Sequence, residues 1–281
     1  MTESPSKAAA PGFATNLDYS VIDEISTDEA AALAGWYERE HGDGQGDLTP
    51  FVSFLVRHRP GALKLYRAYA QALDEDGRLP QVAVALLFLH YYMTRGNDRG
   101  VLYEVVAARQ WGATKREVLD TIEMAFVQSG PLGGNAAAAA DAYLSEWSDS
   151  EERRIPDPWP AAWSSSPAGG AAVPLESALG RLLSEHQPAV AAALAARLAH
   201  ARSAAELPPA MGMLYDLFSA VTADRPDDAA AAARDAAAAG VSAAGIVEVV
   251  GFAGLYATTR QLERAAAALI PVLPSAPAAG R

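Results

Sequence analysis

One helix-boundary pattern occurs twice in this chain, and that repetition limits the possible folds more than any other feature. Each point of the second copy lies 128 positions after its counterpart in the first copy, as Pro188 lies after Pro60. Three such points at one ungapped offset indicate an internal duplication. The paired points are His58–Pro60 with His186–Pro188, Leu79–Pro80 with Leu207–Pro208, and Trp111–Thr114 with Ala239–Ser242.

Helical spacing of apolar residues dominates both copies, and no segment shows the sustained alternation of a strand. The sequence therefore predicts an all-α fold. A first helix begins at a Ser26 or Thr27 cap and ends at Gly42. Gly112 and Gly240 each follow a helix and precede a Thr or Ser cap, so both are predicted to be the glycine that ends a helix. The other predicted helices cover 51–58, 61–75, 80–93, 98–111, 115–128 and 133–146, then 175–186, 189–202, 209–222, 227–239, 243–256 and 259–270.

A proline-rich stretch separates the two copies. Residues 148–174 contain five prolines and no helical period, which is typical of a linker, and Trp159 and Trp163 suit a linker that wraps a surface. The predicted organisation is an N-terminal arm and helix (1–49), a first repeat (50–147), the linker (148–174), a second repeat (175–272) and a tail (273–281).

Composition excludes several classes of function. The net charge of −12 argues against a nucleic-acid or anionic-membrane partner, because both require a basic patch. The chain has no cysteine, which excludes disulfides, thiolate nucleophiles and thiolate zinc sites. The first ten residues lack an apolar signal core, and no apolar run reaches the roughly 18 residues of a membrane span. A cytoplasmic protein without a membrane partner is expected.

Each repeat resembles the carboxymuconolactone decarboxylase and AhpD-like alkylhydroperoxidase superfamily in the order of its elements. That order is Leu-Pro, an apolar helix, a polar turn, a helix ending in Ala-x-x-Gly-Ala/Val-Thr/Ser, and another apolar helix. The resemblance covers about 50–146 and 175–270. Its most specific stretches are VVAARQWGATKREVLDTIEMAF in the first repeat and DAAAAGVSAAGIVEVVGFAGLY in the second. The resemblance implies two tandem AhpD-like repeats packed as an intramolecular pseudo-dimer, because single-repeat members associate. Further assembly into a homo-oligomer fits the same pattern.

The reactive residues of that superfamily are absent. The Cys-x-x-Cys-x-x-x-His pattern of the peroxidase branch falls near Asn97, Gly100 and Glu104, and the corresponding places of the second repeat also lack thiols and histidine. Peroxide reduction through a disulfide is therefore excluded. The decarboxylase branch keeps the histidine, which this chain lacks as well. We expect either an enzyme with relocated acid–base groups or a scaffold that has lost catalysis.

His90 and Glu104 are the candidate catalytic pair. They lie equally far in sequence on either side of a turn near Asn97, so an antiparallel helix pair would place them at similar height. A carboxylate beside an imidazole raises the pKa of the histidine and orients its ring, as a general base requires. Alternatively, His90 is a buried polar residue bonded to backbone.

Further polar residues near this turn are candidates for substrate binding. Tyrosine hydroxyls can stabilise an oxyanion, and arginines of the turn can bind a carboxylate. Core packing for the tyrosines and solvation for the arginines are the alternatives. The second repeat offers Tyr215, Asp216, Tyr256 and Arg260 as polar lining, but the first repeat is the better candidate for the active pocket. The first-repeat candidates are Tyr91, Tyr92, Arg95, Asn97 and Tyr103.

Two functions follow. The resemblance implies a cofactor-free decarboxylase, isomerase, cyclase or hydrolase that acts by acid–base chemistry on a lactone, keto acid or polyketide-like ring, for example in bacterial secondary metabolism. The five histidines show neither HExxH spacing nor a ligand cluster, so no metal site is expected. The alternative is a non-catalytic binding or assembly protein of the same fold. An enclosed pocket beside His90 favours the enzyme, and Glu104 turned to solvent favours the alternative.

Overall fold

The structure is a computed structural model that describes residues 17–41, 50–75, 77–129, 134–164, 178–203 and 206–273. Within these ranges the chain forms thirteen α-helices, one 3₁₀ helix and no strand, so the predicted all-α fold is confirmed. Most of the predicted N-terminal arm and nearly all of the predicted tail lie outside the described residues. The chain divides into two compact units, Met1–Gly77 and Arg78–Arg281.

The described part of the first compact unit contains three helices. The hydroxyl of Ser26 accepts the Glu29 amide at 3.2 Å, and the Glu29 carboxylate accepts the Ser26 amide at 2.8 Å, so Ser26 is the cap of the first helix. The buried ammonium of Lys64 contacts the Glu29 carboxylate at 2.7 Å. This contact lowers the pKa of Glu29 to about 2 and joins the first helix to the third. The helices are α1 (Thr27–His41), α2 (Pro50–His58) and α3 (Pro60–Glu75).

The second compact unit contains the remaining ten described helices in two successive sets. Residues 151–164, within the described part of the linker between the sets, are called the strap here, and the strap ends in the 3₁₀ helix Ala161–Ser164. The central helices of the sets, α4 and α10, pack against each other and are almost wholly apolar because they are buried on most sides. The first set is α4 (Gln81–Arg95), α5 (Asp98–Gln110), α6 (Lys115–Ser129) and α7 (Gly134–Leu144). The second is α8 (Ala178–His186), α9 (Pro188–Ser203), α10 (Pro209–Thr222), α11 (Pro226–Ala238), α12 (Ala243–Ala253) and α13 (Thr259–Leu269).

The helix bounds repeat at the offset found in the sequence. The pairs α2 and α8, α3 and α9, and α5 and α11 each begin and end 128 positions apart, as Asp98–Gln110 and Pro226–Ala238 illustrate. The compact units, however, divide at Gly77, inside the predicted first repeat 50–147. As a result, α2 and α3 belong to one compact unit while α8 and α9 belong to the other. The domain boundaries drawn from the sequence stay a prediction.

Gly112 and Gly240 end α5 and α11 with the same backbone motif. Both have positive φ, 92° and 90°. The amide of Gly112 bonds to the Arg109 carbonyl at 3.2 Å, and the next amide, of Ala113, bonds to the Ala108 carbonyl at 2.8 Å. The same two bonds recur at Gly240. This is the Schellman motif, and the predicted role of both glycines is confirmed.

Alanine at Gly112 or Gly240 is expected to lower the free energy of unfolding by roughly 1–3 kcal/mol, because a residue with a Cβ is strained at positive φ. A Cβ would also lie 2.8 Å from the Ile155 carbonyl oxygen at Gly112, or 2.6 Å from that of Ala162 at Gly240. Gly212→Ala is the matched control, since a Cβ there meets no atom within 4 Å inside a helix. It should stabilise by about 0.5–1 kcal/mol in urea unfolding. Equal effects at the three sites would contradict the argument.

The strap lies across both glycine turns. The backbone of Ile155 covers Gly112, and that of Ala162 covers Gly240. Trp163 is buried, and the indole N–H of Trp159 donates to a Glu117 carboxylate oxygen at 2.7 Å. The prediction that the linker wraps a surface through its two tryptophans is confirmed for residues 151–164.

The two helix sets of the second unit exchange equivalent contacts. Asp120 of α6 accepts the backbone amide of Glu206 at 2.6 Å, just before α10. Glu248 of α12 accepts the amides of Arg78 and of Leu79, the latter at 3.0 Å, just before α4. Residues 120 and 248, like 78 and 206, are 128 positions apart. Each set therefore holds the start of the other set's central helix by a carboxylate at the same relative position.

Candidate functional site

Three half-buried tyrosines meet where the end of α4 approaches the end of α12. The hydroxyls of Tyr92 and Tyr256 are hydrogen-bonded at 2.5 Å. The ring of Tyr91 lies 4.5 Å from that of Tyr256 and 5.3 Å from that of Phe218 on α10, centroid to centroid. Phe88 closes the inner side, with its ring 5.8 Å from Tyr256. We call these five residues the tyrosine site.

Gly100 determines how closely α5 approaches this site. A Cβ at Gly100 would lie 2.5 Å from the ring of Tyr92, so only glycine allows the ring to rest on α5. The carbonyl oxygen of the Asn97 side chain accepts the Gly100 amide at 3.0 Å, which caps the start of α5. The polar residue at the turn and the glycine behind it thus bring the first turn of α5 against the tyrosines.

Glu104 lies one helical turn beyond Gly100, on the same face of α5. Its side chain is half-buried, and no hydrogen bond or ion pair joins it to another residue in the part of the chain that the structure describes. Desolvation raises the pKa of the Glu104 carboxyl well above its usual value of 4.5. The carboxyl therefore keeps its proton to a higher pH than an exposed glutamate and can donate it.

His90 lies deeper, between α4 and α10. Its side chain is 1% exposed, and its ring stacks on that of Tyr215 at 4.4 Å with an angle of 2° between the planes. Among the described residues, no partner accepts from or donates to His90 Nε2. Burial without a charged partner lowers the pKa of His90 from 6.5 to about 3, so the ring is uncharged at neutral pH.

The structure does not bring His90 and Glu104 together. No hydrogen bond or ion pair between them occurs in the described ranges, and burial rather than the other group causes the pKa shift of each. The reason is the rotation of α4. Tyr92 faces Gly100, and His90, two positions earlier, lies about 200° around the helix and faces α10 instead. Equal sequence distance from the turn does not determine on which side of α4 the His90 ring lies.

The other predicted residues separate into two groups. Tyr91 and Tyr92 belong to the tyrosine site, and the exposed guanidinium of Arg95 lies 5.3 Å from the centre of the Tyr91 ring. Asn97 is a helix cap. Tyr103 is buried, and its hydroxyl accepts the Arg99 Nε–H at 2.5 Å. These last two residues therefore have evident structural roles.

The sequence did not indicate Phe218 or Thr121 as site residues, and Gly100 was noted only as the place of an absent cysteine. Tyr215 and Tyr256 were noted only as lining of the second repeat. Phe218 and Thr121 carry no local signal, because an apolar residue or a threonine inside a helix is usually core. Gly100 did carry one. A glycine in the first turn of a helix indicates close approach of another group. Here that group is the ring of Tyr92.

The burial of His90 predicts a specific pH dependence of stability. Between pH 6.5 and about 3 the unfolded chain binds a proton at His90 that the folded chain does not, so the free energy of unfolding falls as the pH is lowered through this range. In His90→Phe this contribution disappears, and the loss of stability between pH 6.5 and pH 4 in urea unfolding should be smaller than in the unsubstituted protein. The same loss of stability in both proteins would contradict a lowered pKa of His90 in the folded chain.

Comparison with known proteins adds no relative: no family model, no curated protein and no solved structure matches this chain. Among the described residues, no three His, Asp or Glu side chains are placed to hold a metal ion. In the same ranges, none of the helices has the length and apolarity that crossing a bilayer requires. The expected absence of a metal and a cofactor, the small-molecule partner and the cytoplasmic location stay predictions.

Proposed function

We propose that the protein is a cofactor-free enzyme that uses acid–base chemistry on a small ring compound such as a lactone, a keto acid or a polyketide-like ring. One observation carries the proposal. Glu104, a desolvated carboxyl without a hydrogen-bond partner among the described residues, lies one helical turn from the Gly100–Tyr92 contact of a paired tyrosine site. A neutral carboxylic acid in an apolar setting is a proton donor, and adjacent phenols can stabilise a developing oxyanion.

In this scheme Glu104 is the general acid that delivers a proton to the substrate. Tyr92 and Tyr256 hold the substrate oxygen on which negative charge develops, since their hydroxyls already lie together. Tyr91, Phe88 and Phe218 supply apolar ring faces for a planar substrate. Decarboxylation, isomerisation, cyclisation and hydrolysis all need such a donor and oxyanion site, and the arrangement favours none of them.

We also propose that both repeats belong to the carboxymuconolactone decarboxylase and AhpD-like superfamily and that they pack as an intramolecular pseudo-dimer. Support comes from the exchanged carboxylate contacts of Asp120 and Glu248, because equivalent contacts in both directions are typical of a two-fold arrangement. The paired Schellman turns under one strap support it as well. An experimental structure in which the sets α4–α7 and α10–α13 are related by anything other than a rotation near 180° would contradict this part.

A non-catalytic binding or assembly protein is the second candidate. The observation that favours it is the missing contact between His90 and Glu104, together with Ala232 at the second-repeat position of Glu104. The half-burial of Glu104 favours the enzyme, because a carboxylate of a mere scaffold is expected to face solvent.

A panel of lactones, β-keto acids and cyclic polyketide-like compounds, incubated with the full chain and followed by mass spectrometry, tests the proposal. Conversion of at least one compound by the unsubstituted protein, and its loss in Glu104→Gln, is the expected result. Binding of panel compounds without conversion favours the non-catalytic candidate. Conversion that survives in Glu104→Gln overturns the proposed mechanism.

A further inference from the structure

Three polar side chains form a small network where α4, α6 and α10 meet. His90 stacks on Tyr215, whose hydroxyl lies 2.8 Å from that of Thr121. Thr121 donates its single proton to the Glu117 carbonyl at 2.9 Å, so the Tyr215 hydroxyl must donate to Thr121. All three side chains are almost fully buried. The hydroxyls of Tyr215 and Thr121 thus have hydrogen-bond partners, and among the described residues Nε2 of His90 has none.

The chain provides its own comparison for this network. The three positions related to it by the offset of 128 are also buried, yet all of them are apolar and carry no polar atom. A core of this geometry therefore packs without a histidine, a tyrosine hydroxyl or a threonine. Packing alone does not explain the polar set, and a buried nitrogen without a partner is destabilising. The related residues are Phe218 for His90, Leu87 for Tyr215 and Val249 for Thr121.

The network lies next to the tyrosine site. Tyr215 and Phe218 are three positions apart on α10 and share a face of that helix. His90 stacks on the first, and Tyr91, its neighbour in the chain, packs on the second at 5.3 Å. One step along the contact between α4 and α10 therefore leads from the tyrosine rings to the ring of His90.

We infer that Nε2 of His90 is the hydrogen-bond partner of a hydroxyl on a ligand bound at the tyrosine site. The ligand is a planar, uncharged ring of the phenol or enol class. The location of the ligand rests on the proposed function. Its class rests on the network: the parallel ring of Tyr215 fixes the orientation of the imidazole, and the aromatic neighbours suit a flat ring. A charged ligand is disfavoured, because none of the three network side chains carries a charge to compensate its desolvation.

Phenol and toluene test the inference, because they present the same ring with and without a hydroxyl. We expect phenol to bind the full chain roughly tenfold more tightly than toluene, the ratio that one hydrogen bond to a buried group implies. In protein labelled with ¹⁵N-histidine, phenol should also shift the ring-nitrogen resonance of His90. Equal binding of the two compounds, no binding of either, or an unshifted His90 resonance overturns the inference and leaves an ordered water as the partner.

His90→Phe is the matched variant, since phenylalanine is the residue at the related position of the other half. It should remove the preference for phenol and raise the urea midpoint of the free protein, because the unpartnered nitrogen is gone. A preference that persists in this variant contradicts the inference. Should the variant fail to fold, the shift of the His90 resonance in the unsubstituted protein decides by itself.

Glu104→Gln separates this inference from the proposed function. The variant should lose turnover and keep the preference for phenol, because no hydrogen bond or ion pair joins Glu104 to the network in the described ranges. If no substrate is ever converted, a preference for phenol that depends on His90 still supports the site. If Glu104→Gln abolishes that preference, the inference fails even where the loss of turnover agrees with the proposed function.

Discussion

Glu104→Gln is expected to slow turnover by about 10²–10⁴-fold, the usual contribution of a positioned general acid or base. Desolvation raises the pKa of the Glu104 carboxyl, so the protonated acid is the form that acts. Glutamine keeps the shape and removes the transferable proton. For the same reason, turnover by the unsubstituted protein should fall as the pH rises through the raised pKa of this carboxyl.

Stability measurements distinguish this loss from a damaged fold. Above pH 4.5 the unfolded chain releases the Glu104 proton before the folded chain does, so stability conferred by the neutral carboxyl declines as the pH rises. Glutamine does not titrate, and the variant should be at least as stable as the unsubstituted protein at neutral pH. Glu146→Gln, at an exposed glutamate of the same unit, should change neither turnover nor stability. Full turnover in Glu104→Gln would remove the proposed acid.

Glu117→Ala should lower the free energy of unfolding by about 3–5 kcal/mol, the range for removing one partner of a buried ion pair. The Glu117 carboxylate is fully buried and accepts from both terminal nitrogens of Arg153, at 2.6 and 2.7 Å. It also accepts the Trp159 indole N–H at 2.7 Å and the Thr114 amide at 2.8 Å. Alanine removes this acceptor from all four N–H groups. Among the described residues, only Arg153 Nη1 keeps another acceptor, the Gly112 carbonyl at 2.8 Å, so the attachment of the strap to α6 is weakened.

Urea unfolding followed by the helical circular dichroism signal measures this effect, because that signal is present in variants with and without Trp159. Trp159→Phe removes one of the four donors and should cost only about 1 kcal/mol. Glu152→Ala is the matched control, since Glu152 is an exposed carboxylate of the same strap, and its effect should stay within about 0.5 kcal/mol. A loss in Glu117→Ala no greater than that of Trp159→Phe would show that the cluster contributes little to stability.

Features with a short-range cause were predictable from the sequence. The helix ends at Gly112 and Gly240 follow from the positive φ that a Schellman motif demands, and the Ser26 cap follows from its reach to the Glu29 amide. The offset of 128 recurs in the helix bounds because the same local signals, proline at helix starts and glycine at helix ends, recur in the chain. None of these features needs a partner distant in sequence.

The candidate site depended on facts that no local pattern contains. Helical spacing gives the height of His90 and Glu104 but not the rotation of α4, which is decided by the contact of the Tyr92 ring with Gly100. The partners of the site come from the other helix set: Tyr256 is 164 positions from Tyr92, and Tyr215 stacks on His90 from α10. The pKa values of His90 and Glu104 follow from burial between these helices.

The sequence by itself determined where helices begin, end and repeat, because hydrogen bonds and dihedral preferences act over a few residues. Which helix faces meet, and therefore which acids stay protonated and which imidazole stays neutral, was decided only by tertiary packing, since desolvation depends on every element that surrounds a group.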